Sequence, residues 1–266
     1  MIALREATPA DAEAILALRR RCFPEDDIAK DFRTARAFIA EAEGRPVAHL
    51  AFVDKTYVFD GREYAAALAM DAMTDPAYRR QGLFSRVAGF ARDSIRADYA
   101  FSTAWQIRPS VLPAMVANGW TPVLRAPVFV RPLWRAAAFA ASGPTGQPRP
   151  PHSMRFAAPY YTTLTSDDAY VVTRETTLKG HRTLAIADLA GPARPLLKQA
   201  FAQAKRNGIH LAAALLSWRH PSLPLLLRMG FLPSPHRFRF LVNVFDPRFD
   251  PRRVRWALSW ADTDHL

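Results

Sequence analysis

Apolar positions recur along the chain with two periods, and each switch between them marks an element. Residues 2–5 form a short alternating segment. Thr8 and Pro9 then open a helix, with Thr8 as cap, Pro9 in the first helical position, and Asp11 and Glu13 in the first turn, where the helix dipole favours acid. Ala12, Ile15, Leu16 and Leu18 supply its apolar face. Apolar runs at 37–42 and 47–53, joined by Glu43, Gly44, Arg45 and Pro46, predict a hairpin. A further strand at 64–74, mostly small and apolar, runs into a loop at 75–81. Residues 82–95 then carry Leu83, Val87, Phe90 and Ala91 at helical spacing. A strand at 99–105 and a helix at 110–117 follow, the helix ended by Asn118 and Gly119.

The later part of the chain repeats this pattern. FARDSIRADYAFSTAW from Phe90 can be laid on FAQAKRNGIHLAAALLSW from Phe201, each a helix and then an apolar strand ending in tryptophan. RPSVLPAMVANGWTP from Arg108 likewise matches RHPSLPLLLRMGFLP from Arg219. Phe90 and Phe201 are 111 positions apart, as are Gly119 and Gly230, so the spacing predicts a duplicated α/β (α+β) fold. Between the copies, SGPTGQPRPP is dense in breakers and has no residue to anchor a core. The expected organisation is a first domain at 1–141, a linker at 142–151 and a second domain at 152–266.

The segment TDPAYRRQGLF, from Thr74 to Phe84, carries the candidate chemistry. It sets Arg79, Arg80 and Gly82 between a strand and a helix start. Backbone N–H groups point outward from such a start, the dipole adds partial positive charge, and glycine lets a phosphate approach the main chain. The combination suits a pyrophosphate.

With the TPADAEAIL opening before it and NGW after it, this segment resembles the GNAT superfamily of N-acetyltransferases, over roughly residues 2–131. Arg79 and Gly82 fill the first two places of the family's signature, and Phe84 departs from its small third residue. The resemblance implies two GNAT-like mixed sheets flanked by helices, the second degenerate, with acetyl-CoA as cosubstrate. The strand stretch Asp71, Ala72, Met73 and Thr74 would pair with the pantetheine arm. The loop amides of Arg80, Gln81, Gly82, Leu83 and Phe84 would hold the pyrophosphate, with Arg79 beside them, and a strand N–H near Met73 would polarise the thioester carbonyl.

Acyl transfer to an amine also needs a proton acceptor, because an alkyl ammonium has a pKa near about 10.4. Asp71, beside the expected thioester, is the candidate base, and a strand Asp paired with a neighbouring Arg is the structural alternative. Asp262 and Asp264 of the terminal SWADTDHL could reach the cleft, or belong to a solvated tail. The family's thiolate-protonating tyrosine falls on Met115, and on Leu226 in the second copy. That copy also lacks the loop, with Gly191, Pro192 and Pro195 standing in place of RRQG. The acceptor expected is a primary amine of a small molecule, sugar or peptide. The alternative is a non-catalytic acyl-CoA binding or sensing protein.

Composition narrows this further. Half the residues are hydrophobic and 23% are charged, the balance of a folded globular chain. No apolar run approaches a membrane span, and MIALREATPADAEA has charges where a signal peptide needs apolar residues, so a cytoplasmic protein with no membrane partner is expected. Cys22 is the only cysteine, which excludes an internal disulfide; an apolar buried role is expected for it. The net charge of +12 is mostly scattered arginine, so a nucleic-acid partner is not expected, although an aminoacyl-tRNA binder is a third reading. The histidines lack metal-pair spacing, and Ser85, Ser110 and Ser217 lack a nucleophile elbow, so neither a metal nor a serine hydrolase is assigned. Trp105, Trp120 and Trp218 are expected in the core.

Overall fold

The computed structural model describes residues 2–24, 36–106, 109–133 and 160–263. Its strands are β1 (Ile2–Glu6), β2 (Arg36–Ala42), β3 (Arg45–Phe59), β4 (Arg62–Thr74), β5 (Phe101–Gln106), β6 (Thr121–Pro132), β7 (Tyr161–Ser166), β8 (Ala169–Leu178), β9 (His181–Ala190), β10 (Leu211–Leu215) and β11 (Leu232–Val244). The helices are α1 (Ala12–Cys22), α2 (Leu83–Ile95), α3 (Leu112–Ala117), α4 (Arg194–Arg206) and α5 (Leu223–Arg228).

The chain divides into two compact units, unit 1 comprising Met1–Leu124 with Arg239–Val254, and unit 2 comprising Arg125–Phe238 with Arg255–Leu266. In unit 1 the strand order is β1-β2-β3-β4-β5, followed by the Arg239 to Val244 part of β11, and β4 and β5 form its parallel pair. In unit 2 the Val128 to Pro132 part of β6 leads, followed by β10-β9-β8-β7, with β10 and β9 parallel. Each parallel pair is joined through a helix, α2 in one unit and α4 in the other, as parallel strands require.

The division into these units falls inside β6 and inside β11, and the expected linker at 142–151 lies outside the described residues. The physical reason is edge pairing. β5 and β10 each need a partner on their open side, and β5 takes it from the end of β11 while β10 takes it from the end of β6.

Helical periodicity and alternation meet in the cores as expected. Leu83, Val87, Ala88, Ala91 and Ile95 of α2 bury against Phe38, Leu50, Phe52, Ala67 and Ala69. On the opposite face of this sheet, Ile15 and Leu18 of α1 meet Ile39 and Met73. The alanines of β4 are poor strand formers by propensity, and helix packing on both faces overrides it. Phe90, at helical spacing with Leu83 and Val87, is 37% exposed, and its ring lies edge-to-face with Phe38 at 6.0 Å. Trp105 and Trp120 are buried, but Trp218 is 54% exposed, which corrects its core assignment.

The duplication is present at the level of elements. α4 and α5 begin and end 111 positions after α2 and α3, and the strand β10 lies between them as β5 lies between α2 and α3.

Candidate active site

The site begins where β4 leaves β5. Their parallel pairing covers Ala66 to Leu68 against Phe101 to Thr103 and stops there, although β4 continues to Thr74 and β5 to Gln106. At the same level β4 is bulged against β3: Met70 opposes Ala51 while Met73 opposes His49. A bulge bends its strand, so β4 turns from β5 and presents main-chain groups to the gap.

Asp71 lies in the bulge at φ 49°, a left-handed conformation that costs a non-glycine residue about 1–2 kcal/mol. Its surroundings hold it there. His49 Nδ1 is 2.8 Å from the Asp71 carbonyl, which can only accept, so Nδ1 is the donor of this bond. Arg19 Nε lies 3.7 Å from Asp71 Oδ1. Arg19, His49 and Asp71 are 5%, 1% and 6% exposed, so this is a buried charged cluster under α1. The expected Asp71 thus sits at the parting of the strands, and it is paired with an arginine.

The loop after β4 is pinned from both sides. The Asp75 carboxylate accepts from the Ala77 N–H at 3.0 Å and from Arg21 Nε at 2.8 Å. Burial pushes its pKa up, but these donors outweigh it, and the carboxyl sits below its ordinary value. The Thr74 carbonyl accepts from Arg79 Nε at 3.2 Å and from the Cys22 thiol at 3.4 Å. Cys22 is half-buried rather than buried, and desolvation raises its pKa, so it remains a thiol.

Arg80 and Gly82 take φ 65° and 70° and turn the chain into α2, whose cap is Gly82 with no side chain bonded to it. The first helical bond runs from the Arg86 N–H to the Gly82 carbonyl, so the N–H groups of Leu83, Phe84 and Ser85 have no acceptor within the helix. A Cβ at Gly82 would meet nothing within 4 Å. Arg79, Arg80 and Gln81 are exposed beside it. The arrangement fits a bound pyrophosphate: free amides and an open glycine form the helix start, and Arg79 and Arg80 are exposed in the loop that leads into it.

Met73 and Leu83 are buried in the cores, so only their main chain can serve the site. Phe84 is half-buried and packs on the core around α2, so its bulk points into the protein. Met115 and Leu226 are core side chains and cannot protonate a thiolate. Asp262 is no part of a solvated tail: residues 259–263 are built into unit 2, and the Asp262 carboxylate accepts from the Ser259 N–H at 2.9 Å. Asp264 lies outside the described residues.

Arg19 and His49 were not expected at the site. Arg19 carried a signal, since it stands one helical turn after Ile15 on the buried face of α1. Among the described residues no cluster of His, Cys, Asp and Glu could hold a metal, and no helix is long and apolar enough to cross a membrane.

Residues 3–112 match the acetyltransferase (GNAT) domain family. No curated protein matches the chain in sequence. Among solved structures, a GCN5-related N-acetyltransferase from Kribbella flavida is 16% identical with a TM-score of 0.63, over 92% of this chain and 72% of that one. One from Anabaena variabilis ATCC 29413 is 12% identical with a TM-score of 0.66, over 92% and 73%. A tandem GNAT protein from the clavulanic acid biosynthesis pathway is 14% identical with a TM-score of 0.56, over 93% and 99%. At these identities the likeness is one of fold.

Proposed function

We propose that this chain, which carries a GNAT acetyltransferase domain over residues 3–112, is an N-acyltransferase that moves an acetyl group from acetyl-CoA to a primary amine of a small molecule, sugar or peptide. The observation that carries the reading is the coincidence of the parted β4 and β5 with the capless, glycine-led start of α2. The β4 main chain from Asp71 to Thr74 would take the pantetheine arm. The amides from Arg80 to Phe84 would take the pyrophosphate, with Arg79 and Arg80 neutralising its charge. Acetyl-CoA supplies the activated acyl group, and a β4 N–H near Met73 would polarise its carbonyl.

Asp71 is the proposed proton acceptor for the amine. Its ion pair with Arg19 fixes it in place, and His49 holds the bulge that carries it. We place the reaction in the cytoplasm.

A second reading, acyl-CoA binding without turnover, is favoured by one observation: Met115 and Leu226 are buried where the family carries a tyrosine. Trapping the CoA thiol released in the presence of an amine panel separates the two. Steady release above the hydrolysis background supports transfer, and tight binding with no release supports a sensor. The donor site itself is tested by calorimetric titration of CoA into Gly82→Asp. Asp tolerates the left-handed region and suits a helix start, but its carboxylate opposes a phosphate. Affinity should fall by about tenfold or more, roughly 1.4 kcal/mol; unchanged affinity refutes the site.

A further inference from the structure

Unit 2 has its own parting of parallel strands. β9 pairs with β10 from Thr183 to Ile186 against Leu211 to Ala214, and β9 then continues to Ala190. A bulge lies at the same level, where Val172 opposes Asp188 and Thr173 opposes Ile186. The position matches the site in unit 1, because β10 follows α4 as β5 follows α2.

The chain's own C-terminal stretch enters this parting. Leu216, just past β10, forms an antiparallel bridge with Ser259. The Ser217 N–H donates to the Leu258 carbonyl at 2.9 Å, the Leu258 N–H donates to Ser217 Oγ at 3.0 Å, and Ser217 Oγ donates to the Trp256 carbonyl at 2.8 Å. On the β9 side Ser259 Oγ donates to Asp188 Oδ1 at 3.0 Å, while Tyr170 OH donates to Asp188 Oδ2 at 2.9 Å. Trp256, Leu258, Ser259, Trp260 and Ala261 are all buried. Further along β9, the Leu189 carbonyl accepts from Ser222 Oγ at 3.3 Å.

The entry for a phosphate is closed as well. The connection from β9 to α4 is short, and a Cβ at Gly191 would lie 2.0 Å from the Asp168 carbonyl oxygen. No space remains beside it for an anion to approach the main chain.

We propose that residues 256–263 are a built-in strap that occupies the donor cleft of unit 2, latched by Ser259 on Asp188, so that the chain holds a single acyl-CoA site. The comparison of clefts rests on the donor site proposed for unit 1, but the strap's seating does not. Where unit 1 offers strand main chain to a pantetheine arm, unit 2 offers the same groups to its own peptide. The two buried indoles and Leu258 give the strap an apolar anchor that a flexible, amide-rich arm lacks.

Hydrogen exchange of the full chain tests the seating. In the wild type the Ser217 and Leu258 amides should be protected. Ser259→Glu sets a carboxylate against Asp188, and exchange at both amides should rise at least about tenfold while the amides of α2 keep their protection. Should that variant fail to fold, Ser259→Ala removes one donor to Asp188 and should raise the same two rates about threefold. Unprotected Ser217 and Leu258 in the wild type, or rates unmoved in the variants, overturn the strap. Calorimetry with CoA supplies the second arm: one site per chain is expected, and two sites in the wild type overturn the sealing of unit 2. Absence of any CoA binding strikes the donor-site reading alone, and exchange then decides the strap.

Discussion

The connection from β4 to α2 and the connection from β9 to α4 start from the same scaffold and reach opposite ends. Both follow a bulged strand at the end of a parallel pair, and both lead into a helix spanning the same register of the repeat. In unit 1 the connection is residues 75–82, with Arg79, Arg80 and a glycine whose missing side chain faces open space. In unit 2 it is residues 191–193, and its glycine is pressed on the Asp168 carbonyl. The buried acids differ in the same sense: Asp71 faces Arg19, whereas Asp188 is held by the Tyr170 and Ser259 hydroxyls. The fold is thus indifferent to the ligand. A loop of a few residues and the partner of one carboxylate separate the cleft proposed to receive an anion from the one that residues 256–263 enter.

The largest test of this contrast lies in the two glycines. Gly191→Ala brings a Cβ into the Asp168 backbone at a positive φ, and neither neighbour can yield cheaply, so the substitution should cost more than about 3 kcal/mol of stability. Gly82→Ala meets only the conformational cost of φ 70°, about 1–2 kcal/mol. Urea unfolding of the two variants measures the difference, and equal losses would contradict the packing assigned to Gly191.

The buried acids predict a pH signature. Desolvation, then the charge of Asp262, raises the Asp188 pKa to about 6 against the pull of its hydroxyl donors. A raised carboxyl favours the protonated form in the folded state, so its contribution is full below about pH 4 and is lost as pH rises through about 6. The swing is on the order of 3 kcal/mol. Unfolding of wild type and Asp188→Asn across pH 4–7 isolates it, because the lowered carboxyls of Asp11 and Asp75 act with opposite sign but equally in both proteins. A constant difference between the two proteins across that range argues against the latch chemistry.

Asp71→Asn carries the matching test in unit 1. Turnover at saturating substrate should fall by about a hundredfold, the lower end of what a positioned base supplies, with CoA affinity nearly unchanged. Stability should fall too, because the buried Arg19 loses its charged partner. A variant that unfolds earlier but turns over at the wild-type rate would reduce Asp71 to a bulge anchor.

The sequence disclosed the parts of this comparison that depend on local pattern. The spacing of Phe90 and Phe201 and of Gly119 and Gly230 announced the repeat, and Gly82 announced the glycine-led start of α2. It did not disclose the partners that arrive from far along the chain. Arg19 reaches Asp71 across 52 positions and Ser259 reaches Asp188 across 71, and no periodicity encodes such meetings. The division into units was hidden for the same reason, since β6 and β11 each read as one strand while contributing residues to both units. The tail SWADTDHL read as solvated because its charges mask the alternation, upstream, of exposed Arg255 and Ala257 with buried Trp256 and Leu258.

The smallest expected effect separates charge from shape in the open loop. Arg80 adopts φ 65° with an exposed side chain, so its backbone is strained whether or not an anion is bound. Arg80→Gly removes both the strain and the charge. Relief of the left-handed penalty is offset by the entropy glycine adds to the unfolded chain, so stability should move by less than about 1 kcal/mol. CoA affinity should fall about threefold to tenfold at low salt, because one guanidinium leaves while the α2 amides and Arg79 remain. The deficit should shrink at higher ionic strength, where a surface charge is screened. Titration of CoA at two salt concentrations reads both numbers, and an affinity equal to the wild type at low salt would leave the helix amides and Arg79 as the whole of the phosphate site.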